Sequence, residues 1–373
     1  AHRRRLREML DAHYDIGELT GVRMLERGYV NVSYEIQTRK GDETTLYFLR
    51  QYKRGIREEE VRFEHSLVSH LAKKGFTLSA DIIPTRDGTT YVRHIDEHDE
   101  EQGEVYFAVF EYLHGEDKYT WDNPACTEGE LAEAARVLAR YHRAVHDLKH
   151  LGTRYEARII NLLPTISGNL MKYAKRAGCT KFDAYYLKNL DHILNVIQTA
   201  QGLLDPEEYR SLPQLAIHCD YHPGNLKFRD ERVVGVFDFD WSKIDARCFD
   251  VALAVTYACT TWEGKEDGDL LPRRAALFLS SYQQEAATGR EGPGAPGPGP
   301  LTEKEAGFLP NMIRASNLYV LNWDVDDYYI KKPNPFEYLI YLQHNVRTMR
   351  WIEGNWDELV ATVRSALRPG REP

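Results

Sequence analysis

His218-Cys219-Asp220-Tyr221-His222-Pro223-Gly224-Asn225, followed after a short link by Val233-Val234-Gly235-Val236-Phe237-Asp238-Phe239-Asp240, is the stretch on which the reading of this chain turns. A carboxylate, an amide five residues later and a second carboxylate closing an apolar run is the spacing of a phosphoryl-transfer site. That chemistry asks little covalent work of a protein. A hydroxyl must be aligned with the γ-phosphorus and negative charge must be neutralised. A carboxylate near the hydroxyl orients it and accepts its proton, while an amide oxygen and a second carboxylate suit Mg²⁺, a hard cation that takes oxygen ligands. Asp220 is the candidate base, and Asn225 and Asp238 are the candidate metal ligands. Pro223-Gly224 is expected to turn the loop back. The apolar run 233–237 is expected to be a strand whose rigidity places Asp238. An isolated His-x-Asp is common; the full run in this context carries the assignment. His218 is expected to pack and hydrogen-bond beside Asp220, and His222 to touch substrate. Neither is expected to hold the metal, because Mg²⁺ takes oxygen.

The rest of the composition fits an enzyme and excludes several other classes. With 373 residues the chain is long enough for two lobes with a substantial core. It is 42% hydrophobic and 28% charged with a net charge of −9, so no general affinity for nucleic acid is expected. The basic run Arg3-Arg4-Arg5-Leu6-Arg7 reads as the solvated face of a first helix. Five scattered cysteines without a Cys-x-x-Cys pair point away from a zinc site or a disulfide framework and toward a reducing cytoplasm. No apolar run approaches the ~18 residues of a membrane span, and no secretory leader is expected.

Strand signals dominate early: 22–26, 30–37 and 45–51, then 90–93 and 105–110. An acidic hairpin loop is expected at 94–104. Between them, 58–74 switches to helical period, with Phe63, Leu67, Val68 and Leu71 on one face, and stops at Gly75. Capping boxes open helices at Thr127-Glu128-Gly129-Glu130 and Thr302-Glu303-Lys304-Glu305. Helical spacing recurs at 131–145, 184–201, 251–259 and 337–353. The expected architecture is therefore α+β and two-lobed: residues 1–110 as a small antiparallel sheet with a helix, and 111–373 as a larger, mainly helical lobe. Residues 289–300, nearly all Gly and Pro, read as a disordered insert.

The run from His218 to Asp240 resembles the catalytic loop of the aminoglycoside phosphotransferase and choline kinase superfamily, written His-Gly-Asp-x-x-x-x-Asn with Ile-Asp-Phe or Ile-Asp-Trp downstream. Cys219 replaces the Gly and Phe237 the Ile. The resemblance implies a protein-kinase-like fold using ATP and Mg²⁺, with Asp220 as base, Asn225 and Asp238 on the metal, and Asp250 bracing the loop. Extended outward, it implies that Gly28 and Asn31 belong to a turn covering phosphate and that Arg50 grips the α- and β-phosphates, with Lys53 as the alternative cation. It implies further that Glu64, fourteen residues on, anchors Arg50, and that the backbone at Glu111 and Leu113 meets adenine.

No activation segment of the protein-kinase kind follows Asp238, so a small alcohol acceptor is expected. His222, Asp240, Trp241, Arg314 and Trp323 are the candidate acceptor contacts. The segment 317–329 interleaves aromatics with acids, either as an acceptor surface or as an ordinary packed helix. Lys332-Pro333-Asn334-Pro335-Phe336-Glu337 is similar to the homoserine-kinase-like branch, while the region after 300 also suits an N-acetylhexosamine kinase branch. A hydroxy amino acid, an amino alcohol and a sugar stay open as acceptors. The alternative is a nucleotide-binding pseudokinase or regulatory module without turnover, motivated by Arg50 in place of Lys and a sparse Gly turn.

Overall fold

The computed structural model describes residues 2–25, 31–95, 104–288, 297–331 and 333–368. The chain divides into two compact units. The first holds Ala1–Gly115 with Lys149–Tyr155 and Val234–Phe237; the second holds Glu116–Leu148, Glu156–Val233 and Asp238–Pro373. A cut at 110 leaves out the two later segments that the first unit takes in.

The first unit contains α1 (His2–His13), β1 (Glu18–Leu25), β2 (Val32–Lys40), β3 (Glu43–Gln51), α2 (Glu58–Lys73), β4 (Val92–Ile95) and β5 (Glu104–Glu111). The five strands form one antiparallel sheet in the order β1-β2-β3-β5-β4. β2 and β3 pair in unbroken register from Val32↔Gln51 to Lys40↔Glu43. Gly41 turns between them at φ 63°, a left-handed conformation that suits a residue without a Cβ. One sheet face buries Tyr34, Ile36, Leu49 and Val109 against Leu6, Leu10 and Tyr14. The arginines of α1 are exposed, as the solvated-face reading of the basic run expects. α2 turns Val61, Phe63, Leu67, Val68 and Leu71 inward, and Glu64 and His65 are buried with them. Of the acidic hairpin expected at 94–104, residues 96–103 lie outside the described residues.

The second unit contains α3 (Glu128–Val145), α4 (Ile159–Ala174), α5 (Lys181–Gly202), α6 (Pro206–Arg210), β6 (Gln214–Ile217), β7 (Leu226–Arg229), β9 (Lys243–Ala246), α7 (Arg247–Ala258), α8 (Pro272–Ala287), α9 (Glu303–Lys331), α10 (Pro335–Gly354) and α11 (Trp356–Ala366). β8 (Arg232–Val236) pairs with β7, and β6 with β9. α9 is the centre: it is buried on nearly every side from Phe308 to Leu321 and packs against α7, α10, α4, α11 and α5. A helix enclosed all round carries no polar face, so its sequence shows no amphipathic stripe.

Both expected capping boxes form. Thr127 Oγ accepts from the Glu130 N–H at 3.1 Å while the Glu130 carboxylate accepts from the Thr127 N–H at 3.0 Å. Thr302 and Glu305 exchange the same bonds at 3.2 and 2.9 Å. Glu305 also takes part in a buried clasp. Arg247 donates from Nε and Nη2 to its two oxygens at 2.7 and 2.8 Å, and both residues are fully enclosed. The remaining Arg247 donors meet the carbonyls of Gly299 and Pro300. The Gly/Pro stretch expected to be disordered over 289–300 is thus built into the fold at 297–300, because a buried guanidinium requires acceptors; 289–296 lie outside the described residues. Among the described residues no helix is long and apolar enough to cross a membrane.

Candidate active site

Each unit carries one part of the expected site. In the second unit, the loop after β6 is held by a carboxylate from α7. Asp250 Oδ2 accepts from the His218 N–H at 3.0 Å and Oδ1 from the Cys219 N–H at 2.8 Å. His142 Nε2 meets Asp250 Oδ2 at 2.9 Å, and His142 Nδ1 meets the Tyr282 hydroxyl at 2.7 Å. Burial works to raise the Asp250 carboxyl, but the hydrogen bond from His142, with that from the Cys219 N–H, outweighs it and holds it below the usual range. The anionic form accepts, so His142 carries its proton on Nε2 and accepts the Tyr282 proton at Nδ1. Burial, ahead of the raising effect of Asp250, lowers the His142 pKa.

This grip explains a backbone anomaly. Cys219 sits at φ 64°, a left-handed conformation that costs a residue with a Cβ about 1–2 kcal/mol. It stands where the family pattern has Gly. Two charge-assisted bonds to Asp250 hold the conformation. Asp238 is likewise at φ 63°. The strand expected to carry Asp238 ends at Val236, so this carboxylate is placed by a left-handed turn two residues past the strand. Strained positions of this kind cluster at functional sites.

Asp220 and Asn225 are brought together. The Asn225 amide nitrogen donates to the Asp220 carbonyl at 2.9 Å and to its Oδ2 at 2.8 Å. With the nitrogen so committed, Asn225 Oδ1 is the atom left to meet a cation. Asn225 Oδ1 and the Asp238 carboxylate are the oxygen donors that could hold Mg²⁺, a hard cation. His222 Nδ1 accepts from the Gly224 N–H at 3.0 Å, which leaves the proton of the neutral ring on Nε2, 3.6 Å from Asp220 Oδ1. His218 is fully buried and accepts from the Asp220 N–H at 3.3 Å, with Phe239 4.9 Å away ring to ring, so it supports the loop as expected.

One residue at the base escaped the sequence reading. Tyr257 has its ring 5.1 Å from that of His222; burial first, and then the charge of Asp220, raises its pKa well above the ordinary value, keeping it a donor. It lies seven residues after Asp250, two turns along the same face of α7, which is the signal that could have found it. Asp240 and Trp241 are half-buried just beyond Asp238. The other two acceptor candidates lie on α9 and are engaged there. Arg314 is buried with its guanidinium over the Trp356 ring at 4.0 Å. Trp323 joins an aromatic group with Trp121 and Tyr338, at 6.4 and 6.3 Å between centroids.

In the first unit, Arg50 Nη1 meets Glu64 Oε1 at 2.9 Å, with side-chain exposures of 8% and 2%. The pairing across fourteen residues is therefore made. A relay stands behind it. The Tyr52 hydroxyl donates to Glu64 Oε2 at 3.1 Å and lies 3.0 Å from His65 Nε2, while His65 Nδ1 lies 2.8 Å from the Thr90 hydroxyl. Because Tyr52 spends its proton on Glu64, His65 Nε2–H donates to the Tyr52 oxygen and Nδ1 accepts from the Thr90 hydroxyl. Burial first, then the Arg50 charge, push the His65 pKa down to about 3. Lys53 is exposed, and its backbone N–H donates to Asn31 Oδ1 at 2.8 Å, so the Asn31 side chain pins the end of β3. Gly28 lies outside the described residues. The Glu111 N–H is taken by the Asp81 carbonyl at 2.9 Å, so an adenine donor would have to come from elsewhere, with Leu113 half-buried two residues on.

Comparison with known proteins places the chain in a family. The sequence pattern of the phosphotransferase enzyme family matches residues 21–287, and the chain belongs to that family. It is 26% identical over 339 residues to the homoserine kinase of Parvibaculum lavamentivorans, covering 89% of this chain and 90% of that one. It is 25% identical over 345 residues to the homoserine kinase of Methylocella silvestris, again covering 89% and 90%. A microcompartment-associated aminopropanol kinase shares the fold with a TM-score of 0.67 at 17% identity, over 98% and 99% of the two chains. Choline kinase from Cryptosporidium parvum Iowa II does so at 0.59 and 13%, over 98% and 99%. The fold is protein-kinase-like α+β, and the protein is a small-molecule kinase.

Proposed function

We propose that this protein transfers the γ-phosphate of ATP to the hydroxyl of a hydroxy amino acid or amino alcohol, with Asp220 as the base. The observation that carries the proposal is the Asp220–Asn225 pair, whose amide is turned so that its nitrogen steadies the carboxylate and its oxygen is left for a cation. Asp220 takes the acceptor's hydroxyl proton, the freed oxygen bonds to the γ-phosphorus, and the bond to the β-phosphate oxygen breaks, giving ADP and a phosphate ester. Asn225 Oδ1 and Asp238 would hold Mg²⁺, which when bound offsets the charge of the phosphates. Tyr257 and His222 keep the Asp220 carboxylate oriented. Arg50, fixed by Glu64, would meet the α- and β-phosphates. Homoserine kinases among the relatives favour a hydroxy amino acid, and the aminopropanol kinase fold neighbour an amino alcohol. Five free cysteines support a reducing, cytoplasmic setting.

The test is ADP release by the pure protein against a panel of hydroxy amino acids, amino alcohols, sugars and aminoglycosides. Acceptor-dependent ADP is expected with Mg²⁺ and ATP. Asp220→Asn should lower kcat by about 10³-fold or more while ATP still binds in a direct titration. Near-normal turnover of that variant removes Asp220 as base. ATP binding without ADP release from any acceptor returns the pseudokinase reading.

A further inference from the structure

Among the buried oxygens of the second unit that meet no hydrogen-bond donor among the described residues, two belong to fully enclosed residues: Oδ1 of Asp324 and Oδ1 of Asn317, at 0% and 1% exposure. Both residues are on α9, seven positions apart, and so on one face. Both are tied to Asn345 of α10, which donates its amide to Asp324 Oδ2 and accepts the Asn317 amide at its carbonyl, the latter at 2.9 Å. Their donors and second oxygens are thus spent on fixing the side chains, and the two remaining acceptors stand unsatisfied. Leaving a buried acceptor unmade costs about 1–3 kcal/mol, and an unpaired buried carboxylate more. Burial raises the Asp324 pKa well above its usual range, as expected where no cation compensates it.

The place of this group connects it with the base. Thr256, next to Tyr257 on α7, meets the Ser316 hydroxyl of α9 at 2.6 Å, one residue before Asn317, and the Tyr257 ring lies 5.1 Å from that of His222, two residues after Asp220. On α10, Tyr341 is one turn before Asn345 and on the same face. Half-buried Trp121 lies against Tyr341 at 4.3 Å and next to Trp323 at 6.4 Å. Two half-buried tryptophans therefore belong to the same aromatic group as Tyr341, on the α9 and α10 segments that carry the orphaned acceptors.

We infer that Asp324 and Asn317 form the anchor for a primary ammonium group of the acceptor, and that this anchor selects amino alcohols or hydroxy amino acids. The inference rests on the kinase reading and narrows it. A buried carboxylate calls for a cation, which sets an amine apart from a sugar hydroxyl. Two acceptors call for at least two N–H donors, which a primary ammonium has and a quaternary one lacks. The aromatic rings accept the carbon chain and the charge above them.

The experiment measures kcat and KM of the full chain with three acceptors of equal chain length: a primary amino alcohol, its N-trimethyl counterpart and the alcohol without nitrogen. The wild type should favour the primary amine by roughly 100-fold in kcat/KM over the other two. In Asp324→Asn and, separately, Asn317→Ala, that ratio should collapse through KM for the amine. Because each ratio is taken within one variant, a general loss of activity cancels. A wild type indifferent to the amine overturns the inference and leaves the kinase reading standing. So does a variant that loses all three acceptors equally, since that marks a structural role. If no acceptor yields ADP, the kinase reading fails; calorimetry with the same three compounds then decides the anchor. Binding of the primary amine alone, abolished by Asp324→Asn, supports it, and no binding overturns it.

Discussion

Two arginine–glutamate pairs are buried among the described residues, and they are built differently. Arg247 in the helical unit grips both oxygens of Glu305 and spends its other donors on the Gly299 and Pro300 carbonyls. Arg50 in the sheet unit meets Glu64 through Nη1, with the Phe48 and Phe110 rings 5.5 and 5.9 Å from its charge. The first pair is saturated and sealed. The second is held from behind, on the glutamate, by Tyr52. The Arg247 pair is a clasp that joins α7 to α9 and to the 299–300 backbone; the Arg50 pair is the one proposed to serve nucleotide.

Glu305→Ala leaves Arg247 charged and unpaired in the interior and should lower unfolding free energy by about 3–5 kcal/mol, read by urea titration. Replacing whole pairs separates the roles. Arg247→Met with Glu305→Leu should keep stability within about 2 kcal/mol of wild type and leave kcat/KM for ATP unchanged. Arg50→Met with Glu64→Leu should also fold but lose roughly 100-fold in kcat/KM for ATP, about 2.7 kcal/mol. If both double variants keep activity, Arg50 is a clasp as well. Tyr52→Phe removes the hydroxyl shared by Glu64 and His65 and should destabilise by about 1–3 kcal/mol, with KM for ATP raised in steady-state assays.

The smallest effect is a pH dependence. His65 titrates near 3 in the fold and near 6.5 unfolded. Between those values the unfolded chain binds the extra proton, so stability is fully present above about 6.5 and falls by about 1.4 kcal/mol per pH unit below it. Urea unfolding at pH 7.5 and 5.5 should show that decrement in the wild type and a shallower one in His65→Gln. Equal slopes would mean His65 is not held neutral.

What the sequence disclosed was local chemistry at fixed spacing. Asp220 and Asn225 lie on one loop, Arg50 and Glu64 on successive elements, and Thr127 and Thr302 form caps with residues three places on, so the backbone dictates each meeting. The helices that went unread lack such signals. α4 carries Pro164 and α8 begins at Pro272 without a side-chain cap bond. The enclosed run of α9 has no polar stripe. Asp238 looked like a strand terminus because Phe237 continues the apolar run, whereas its left-handed turn is set by surroundings no spacing encodes. Asn317, Asp324 and Asn345 meet across two helices. Their polarity was visible as an acid-aromatic mixture, but which atoms would end without partners was decided only by packing.

The distribution of thiols has a practical consequence. Cys126, Cys219, Cys248 and Cys259 are buried, and Cys179 is exposed. Burial pushes all four enclosed thiols above their usual range, where little nucleophilic thiolate forms. The native protein therefore offers a single position for covalent dye attachment, at the turn before α5. A maleimide fluorophore there could report events in the helical unit without engineering away any other sulfur.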